Sequence, residues 1–260
     1  MRTRLQVLVA LVVLFSANTR AADIHVVSSG GFAAAYKTLA PEFEQTTGNH
    51  LITGWGPSMG NTTDAVPQRL ARNEPIDVVI MVGSALGNLV QEGKIIPDSR
   101  VDLASSAIGI AIRSGSPKPD ISTVDSLRTT LLNAKSIAYS DSASGVYIST
   151  ELFRRLGIAD QVTAKSRMIP AEPVASVVAR GEAEIGFQQI SELKPIPGIE
   201  LVGPLPDEVQ KTTIFSAGIV TSSKDPDAAK SLITFLASPA ATQAITASGL
   251  EPIKRLQNSK

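Results

Sequence analysis

Short apolar runs alternate along the chain with stretches whose apolar residues recur every three or four positions, the pattern of crossover units in an α/β fold. Residues 24–28 (IHVVS), 51–55 (LITGW), 77–82 (DVVIMV), 107–113 (AIGIAIR), 136–139 (SIAY), 184–188 (EIGFQ) and 215–220 (FSAGIV) predict strands. The apolar run that follows Asp77 in 77–82 is that of a parallel strand covered on both faces. Helical spacing joins Phe32, Tyr36, Leu39, Ala40 and Phe43, then Leu86, Leu89 and Val90, then Val124, Leu127 and Leu131. It returns at 151–156, at Val174, Val177 and Val178, and at Ala229, Leu232, Ile233 and Leu236. A short helix through Val66 and Leu70 is limited by Pro67, and Pro41 predicts a kink or a split in the first helix. Gly48, Gly93, Gly157, Gly181 and Gly249 supply stop signals, while Asp225-Pro226 and Ser238-Pro239 start the last two helices. No linker interrupts this order, so the chain is expected to pass between two lobes on strands.

The N-terminus follows a different pattern. Arg2 and Arg4 precede an uncharged, largely apolar run at residues 5–15. A membrane span needs about 20 apolar residues, so this run is too short to anchor and reads as a secretory signal at 1–21. Cleavage after Ala21 places Thr19 at the third position before the cut, and cleavage after Ala22 places Arg20 there, which favours the former. The competing reading is a buried N-terminal helix. Export without cysteine leaves no lipid attachment point, so the expected address is the periplasm, with an extracellular fate as the alternative.

Composition narrows the chemistry. The 260 residues carry 24 basic and 24 acidic side chains, and loss of residues 1–21 removes three arginines and no acid, leaving a formal charge of −3. Such a chain offers no basic surface for nucleic acid or anionic lipid. Without cysteine there are no disulfides, thiol nucleophiles or Cys-based metal sites. Gly56-Pro57-Ser58-Met59-Gly60 matches a nucleophile elbow, but that arrangement places its histidine after the serine, and His25 and His50 both precede Ser58. Two isolated histidines form no metal cluster and no glycine-rich phosphate loop is present, so neither metal nor cofactor is expected.

Small hydroxyl residues instead recur where a predicted strand meets a helix: Ser28-Ser29-Gly30, then Ser58-Met59-Gly60-Asn61-Thr62, then Ser142-Ala143-Ser144-Gly145. Each alone reads as a helix cap. Converging on one cleft, they would present hydroxyls and free helix N–H groups to an anion.

In these segments the chain resembles the type II solute-binding proteins of ABC transporters, and most closely the periplasmic molybdate-binding family. The likeness is carried by VSSGG, PEFEQTTG, GPSMGN, EPIDVVIMVGSALGNLVQEGKI, SGVYISTELFRRLGI, VVARGEAEIGF and AAKSLITFLASPAATQAITASGL. It implies an α/β, two-lobed periplasmic-binding-protein type II fold, with a central sheet in each lobe and a ligand cleft between them. Lobe 1 would take 22–105 plus 220–260, and lobe 2 would take 106–219. The implied protein is a monomer that captures a small anion, oxyanion or carboxylate, for a transporter permease. Ser28 and Ser29 match the first binding loop, Ser58 with Met59 and Asn61 the second, and Ser144 with Gly145 the third; 174–176, including Ser176, match a backbone contact region. Gln189 stands where the molybdate proteins carry a tyrosine, and this departure, with the bulky Pro57-Ser58-Met59 loop, implies an organic anion in place of molybdate. Bacterial aconitate isomerase, an exported enzyme similar to the same family, implies a second activity: conversion of trans- to cis-aconitate. It would need a base near the ligand, for which Asp141, Glu172 and Tyr147 are candidates, and Arg113 or Arg167 could supply a cation.

Overall fold

The computed structural model describes residues 21–170 and 172–253, so residues 1–20, most of the expected signal segment, lie outside the described residues. The chain first lays down β1 (Asp23–Ser28), α1 (Gly30–Thr47), β2 (His50–Trp55), α2 (Val66–Ala71), β3 (Val78–Val82), α3 (Gly83–Gln91) and β4 (Val101–Ser106). It crosses at Ala107 into β5 (Ile108–Arg113), α4 (Val124–Asn133), β6 (Ile137–Ser140), α5 (Ala143–Tyr147), α6 (Phe153–Arg155), α7 (Ala159–Val162), β7 (Ser166–Ile169), α8 (Val174–Ala179), β8 (Ile185–Gln189), α9 (Ile190–Leu193) and β9 (Ile199–Pro204). It then returns through β10 (Thr213–Ile219), α10 (Pro226–Leu236), α11 (Thr242–Ala247) and β11 (Glu251–Pro252).

Two sheets result, in the orders β11-β4-β10-β3-β1-β2 and β7-β6-β8-β5-β9. In the first, β1, β2 and β3 run parallel and β10 runs antiparallel between β3 and β4. In the second, β6, β7 and β8 run parallel and β5 runs antiparallel between β8 and β9. Helices cover both faces of the first sheet: α1 brings Phe32, Tyr36, Leu39 and Phe43 to one side with Leu232 and Leu236 of α10, while Val66, Leu70, Leu86 and Leu89 cover the other. This is why β3 is buried along its whole length.

The lobe boundary differs from expectation. Residues 213–219 belong to the first sheet, with Phe215 opposite Val82 and Ile219 opposite Val78, so lobe 2 ends before Thr213. A seven-residue apolar strand fits either sheet by pattern; its partners are decided by packing, and Phe215, Ala217 and Ile219 lie in the first core. Helix α1 also runs unbroken through Pro41. Pro41 and Lys37, whose carbonyl loses its helical partner, are both exposed, so water can replace that bond while the buried stripe keeps the helix packed on the core. Gly48 ends α1 with φ 75°, as a glycine stop should. The helix expected at 151–156 begins earlier, at Ala143, and passes through a wider π turn at Ile148–Leu152.

One buried charge ties the first lobe together. The Asp77 carboxylate accepts from His25 N–H at 2.9 Å, Ser223 Oγ at 2.7 Å and Lys224 N–H at 3.1 Å, joining β1, the approach to β3 and the lead into α10.

Candidate functional site

The carboxyl ends of the central strands face one another across the two lobes, where an open α/β sheet places its ligands. A cleft of about 440 Å³ lies there. Its first wall comes from the β1–α1 junction (Ser29, Gly30, Gly31), the loop after β2 (Pro57, Ser58, Thr62, Asp64) and the end of β3 (Val82). Its second comes from the β6–α5 junction (Ser140, Asp141, Ser142), the start of α8 (Glu172, Pro173) and the β8–α9 junction (Gln188, Gln189, Ser191, Glu192).

The two walls carry neutral hydrogen-bonding groups. Ser29 precedes the first turn of α1 but makes no side-chain cap bond; its Oγ is buried with no hydrogen-bond partner among the described residues. A buried hydroxyl without a partner is costly unless a ligand satisfies it. Ser58 Oγ accepts from Val82 N–H at 2.9 Å, which fixes the loop and leaves the hydroxyl hydrogen to donate elsewhere. On the facing wall, Ser140 Oγ lies 2.9 Å from Ser142 Oγ and 3.0 Å from Ser144 Oγ.

Charge is distributed unevenly. Lys37 is the cation lining the cleft among the described residues, and it stands 5.0 Å over the Trp55 ring. Four carboxyls line it as well: Asp64, Asp141, Glu172 and Glu192. Glu172 is neutralised by Arg180, which donates to its two oxygens at 3.0 and 3.1 Å. Glu192 is partly buried, and burial pushes its carboxyl up to about 7; Asp141 acts in the same direction, and hydrogen bonding from Gln188 and from the Gln189 backbone opposes it. A group in this range exchanges protons at neutral pH.

Of the residues the sequence singled out, Ser29, Ser58 and Gln189 come together in the cleft, with Asp141 and Glu172. Ser28 is buried beneath it and its Oγ donates to the Ser29 carbonyl at 3.2 Å. Met59 packs against the first core, and Asn61 is exposed. Ser144 is held by Ser140, and Gly145 lies so close to the Ser140 carbonyl that a Cβ there would stand 1.6 Å from it. Ser176 sits on α8 away from the lining, and the nearby Val174 N–H is engaged by Gln188 Oε1 at 3.0 Å. Gln189 lines the cleft, yet its amide is engaged too. Oriented so that both ends are satisfied, it donates to the Ser106 carbonyl at 3.2 Å and Ser106 Oγ at 3.0 Å and accepts from Thr213 Oγ1 at 2.8 Å. The amide thus clasps the two crossings between lobes.

Three expectations fail on geometry. Tyr147 is buried away from the cleft with its hydroxyl on the Val209 carbonyl at 2.6 Å. Arg167 pairs with Glu182 at 3.5 Å, and Arg113 packs over Gly181, so neither lines the cleft. Lys37, Gln188 and Glu192 are functional-site residues the sequence did not single out; Gln188 had a signal in its place at the end of a strand, next to Gln189.

A family model described as bacterial extracellular solute-binding protein matches residues 24–251. Aconitate isomerase of a Pseudomonas species is 55% identical over 228 residues, 88% of this chain and 87% of that protein. The molybdate-binding protein ModA of Azotobacter vinelandii is 26% identical over 246 residues, 91% of this chain and 92% of its own. The solved periplasmic molybdate-binding protein of Azotobacter vinelandii superposes with a TM-score of 0.72 at 20% identity, covering 90% of this chain and 100% of that one. Two open sheets joined by crossing strands, a ligand-sized cleft at their facing strand ends and a match along nearly the whole described length make this chain a member of the bacterial extracellular solute-binding protein family.

Proposed function

We propose that this protein is an exported isomerase of a small unsaturated polycarboxylate of the aconitate type, held in the interlobe cleft while one of its protons moves between carbons. The observation that carries the reading is the makeup of the cleft: the first wall offers hydroxyl donors, with Ser29 Oγ lacking a partner among the described residues, beside Lys37 and Asp64, and three of the four carboxyls, Asp141, Glu172 and Glu192, face them from the second wall. In a cleft built only to retain an anion, an ionised carboxyl repels the ligand unless it accepts from one of the ligand's hydroxyls. A proton shift needs a base, and a carboxylate supplies one. Pairing of Glu172 with Arg180, partial protonation of Glu192 and the presence of Lys37 reduce the repulsion an incoming anion meets. The 55% identity to aconitate isomerase supports the same reading.

The chemistry is an allylic shift. Loss of a proton from the methylene next to the double bond leaves an anion spread over three carbons and into the attached carboxylates. The former C–H electron pair becomes part of the new double bond, and the old double-bond pair takes a proton at the far carbon. No atom is gained or lost. The donors on the first wall hold the carboxylates on which charge develops.

The basic start and short apolar run of residues 1–21 and the family's extracellular description support export to the periplasm. The test is incubation of the mature protein with trans-aconitate, followed by chromatography. Many turnovers to the cis form per protein molecule are expected. Stoichiometric binding of the anion without turnover would replace this reading with solute capture for an ABC transporter, the role suggested by the family.

A further inference from the structure

We propose that Glu192 is the acid–base residue of this proton shift, its carboxyl standing in the cleft between the N-terminus of α1 and Gln188; the inference rests on the isomerase reading above. Each carboxyl lining the cleft was a candidate for the task. Glu172 is exposed and has both oxygens bound by Arg180, so its lone pairs face a guanidinium. Asp64 is exposed on the loop before α2. Asp141 and Glu192 are both partly buried; burial holds the Glu192 proton, and the charge of Asp141 adds to it.

Glu192 is also the carboxyl that reaches across the cleft. It rises from α9 in the second lobe and its Oε1 lies over Gly30 in the first turn of α1, so near that a Cβ on Gly30 would stand 2.5 Å from it. Glycine at 30 is the space the carboxyl occupies. That position is beside Ser29, whose unpartnered hydroxyl marks where a carboxylate of the ligand would be held. A substrate bound there has Glu192 against it.

Protonation matches the position. With its carboxyl raised to about 7, Glu192 divides between base and acid at neutral pH. An allylic shift asks both of one group: ionised to take the methylene proton, protonated to return it at the far carbon. Asp141 from the β6–α5 turn is the charged group that acts on it, and Lys37 from α1, Glu172 ahead of α8 and Asp64 after β2 line the same cleft. Lys194, which ends the same helix, packs against Gly249 outside the cleft lining.

The experiment uses the full mature chain, trans-aconitate as probe, and Glu192→Gln and Glu192→Asp. The Gln variant is expected to bind trans-aconitate by calorimetry within about threefold of wild type and to lose about 10²–10⁴-fold in kcat. The Asp variant, with its carboxyl drawn back, is expected to keep measurable turnover. In wild type, kcat/KM should rise about tenfold per pH unit below about 7 and level off above it, and the residual activity of the Gln variant should lack that rise. Should the Gln variant not fold, Gly30→Ala displaces the same carboxyl without removing it, and at least a tenfold fall in kcat is expected. Wild-type turnover with full activity in a folded Gln or Gly30→Ala variant overturns the assignment of Glu192 and leaves the isomerase standing. A wild-type protein that binds the probe and never converts it overturns both.

Discussion

At Ser29 the usual relation between a helix cap and stability is reversed. A serine ahead of a helix normally accepts from an N–H of the first turn, and its loss costs about 1 kcal/mol. Here the hydroxyl makes no such bond and is buried without a partner among the described residues. Ser29→Ala therefore removes a desolvated group and is expected to leave the melting temperature of the unliganded protein unchanged or slightly raised. If the hydroxyl donates to a carboxylate, the same change should weaken ligand binding by about 1.5–3 kcal/mol, because that is the worth of a hydrogen bond to a charged acceptor. Calorimetry and thermal melting of one variant separate the roles: a lower melting temperature with unchanged affinity would show Ser29 to be a cap and nothing more. Ser58 offers no such clean separation, since its Oγ also holds Val82 N–H and truncation strips that amide of its partner.

At the scale of elements, the packing of α5 on β6 sets a second test of sign. Replacing a glycine inside a helix by alanine ordinarily stabilises by about 1 kcal/mol through propensity. Gly145 lies in α5 against the Ser140 carbonyl, 1.6 Å from where the new Cβ would fall, and that carbonyl is backbone, which cannot swing aside. Gly145→Ala is expected to destabilise by about 1–3 kcal/mol, as overpacking does, and denaturant unfolding that shows a gain would place α5 elsewhere. The same scale shows what the sequence made legible. Strands β1, β2, β3, β5, β6, β8 and β10 could be read from their apolar runs, most of them deeply buried. Strands β4 (VDLASS), β7 (SRMI) and β9 (IELVGP) could not: they lie at or near sheet edges, are partly exposed and mix polar with apolar residues without a clear period. The junction serines were legible because strand-to-helix turns concentrate hydroxyls. Glu192 was not, because its place over Gly30 depends on α9 meeting α1, a contact between lobes far apart in sequence.

For the whole molecule, the cleft group on which turnover is proposed to depend should also leave a mark on stability. The two lobes are joined where the chain crosses at Ala107 and again at 205–212, and Gln189 binds Ser106 and Thr213 at these crossings, so the walls are held at their base. Glu192 has its carboxyl raised from 4.5 to about 7 by burial in the folded state. The native protein therefore holds a proton that the unfolded chain gives up between pH 4.5 and about 7. Folding is favoured by this group below that window, loses stability as pH rises through it, and carries a constant penalty above it. The shift corresponds to about 3 kcal/mol at most, less to the extent that the carboxyl faces the open cleft. Glu192→Gln, neutral at every pH, is then expected to melt several degrees above wild type at pH 8 and to lose most of that advantage by pH 4.5, a chain of this length shifting by about 2–4 °C per kcal/mol. Melting curves of both proteins across this range are the measurement. A difference that stays constant from pH 4.5 to 8 would mean that the carboxyl titrates as an ordinary surface glutamate, and a wild type that gains on the Gln variant with rising pH would mean that its charged form is the one the fold prefers.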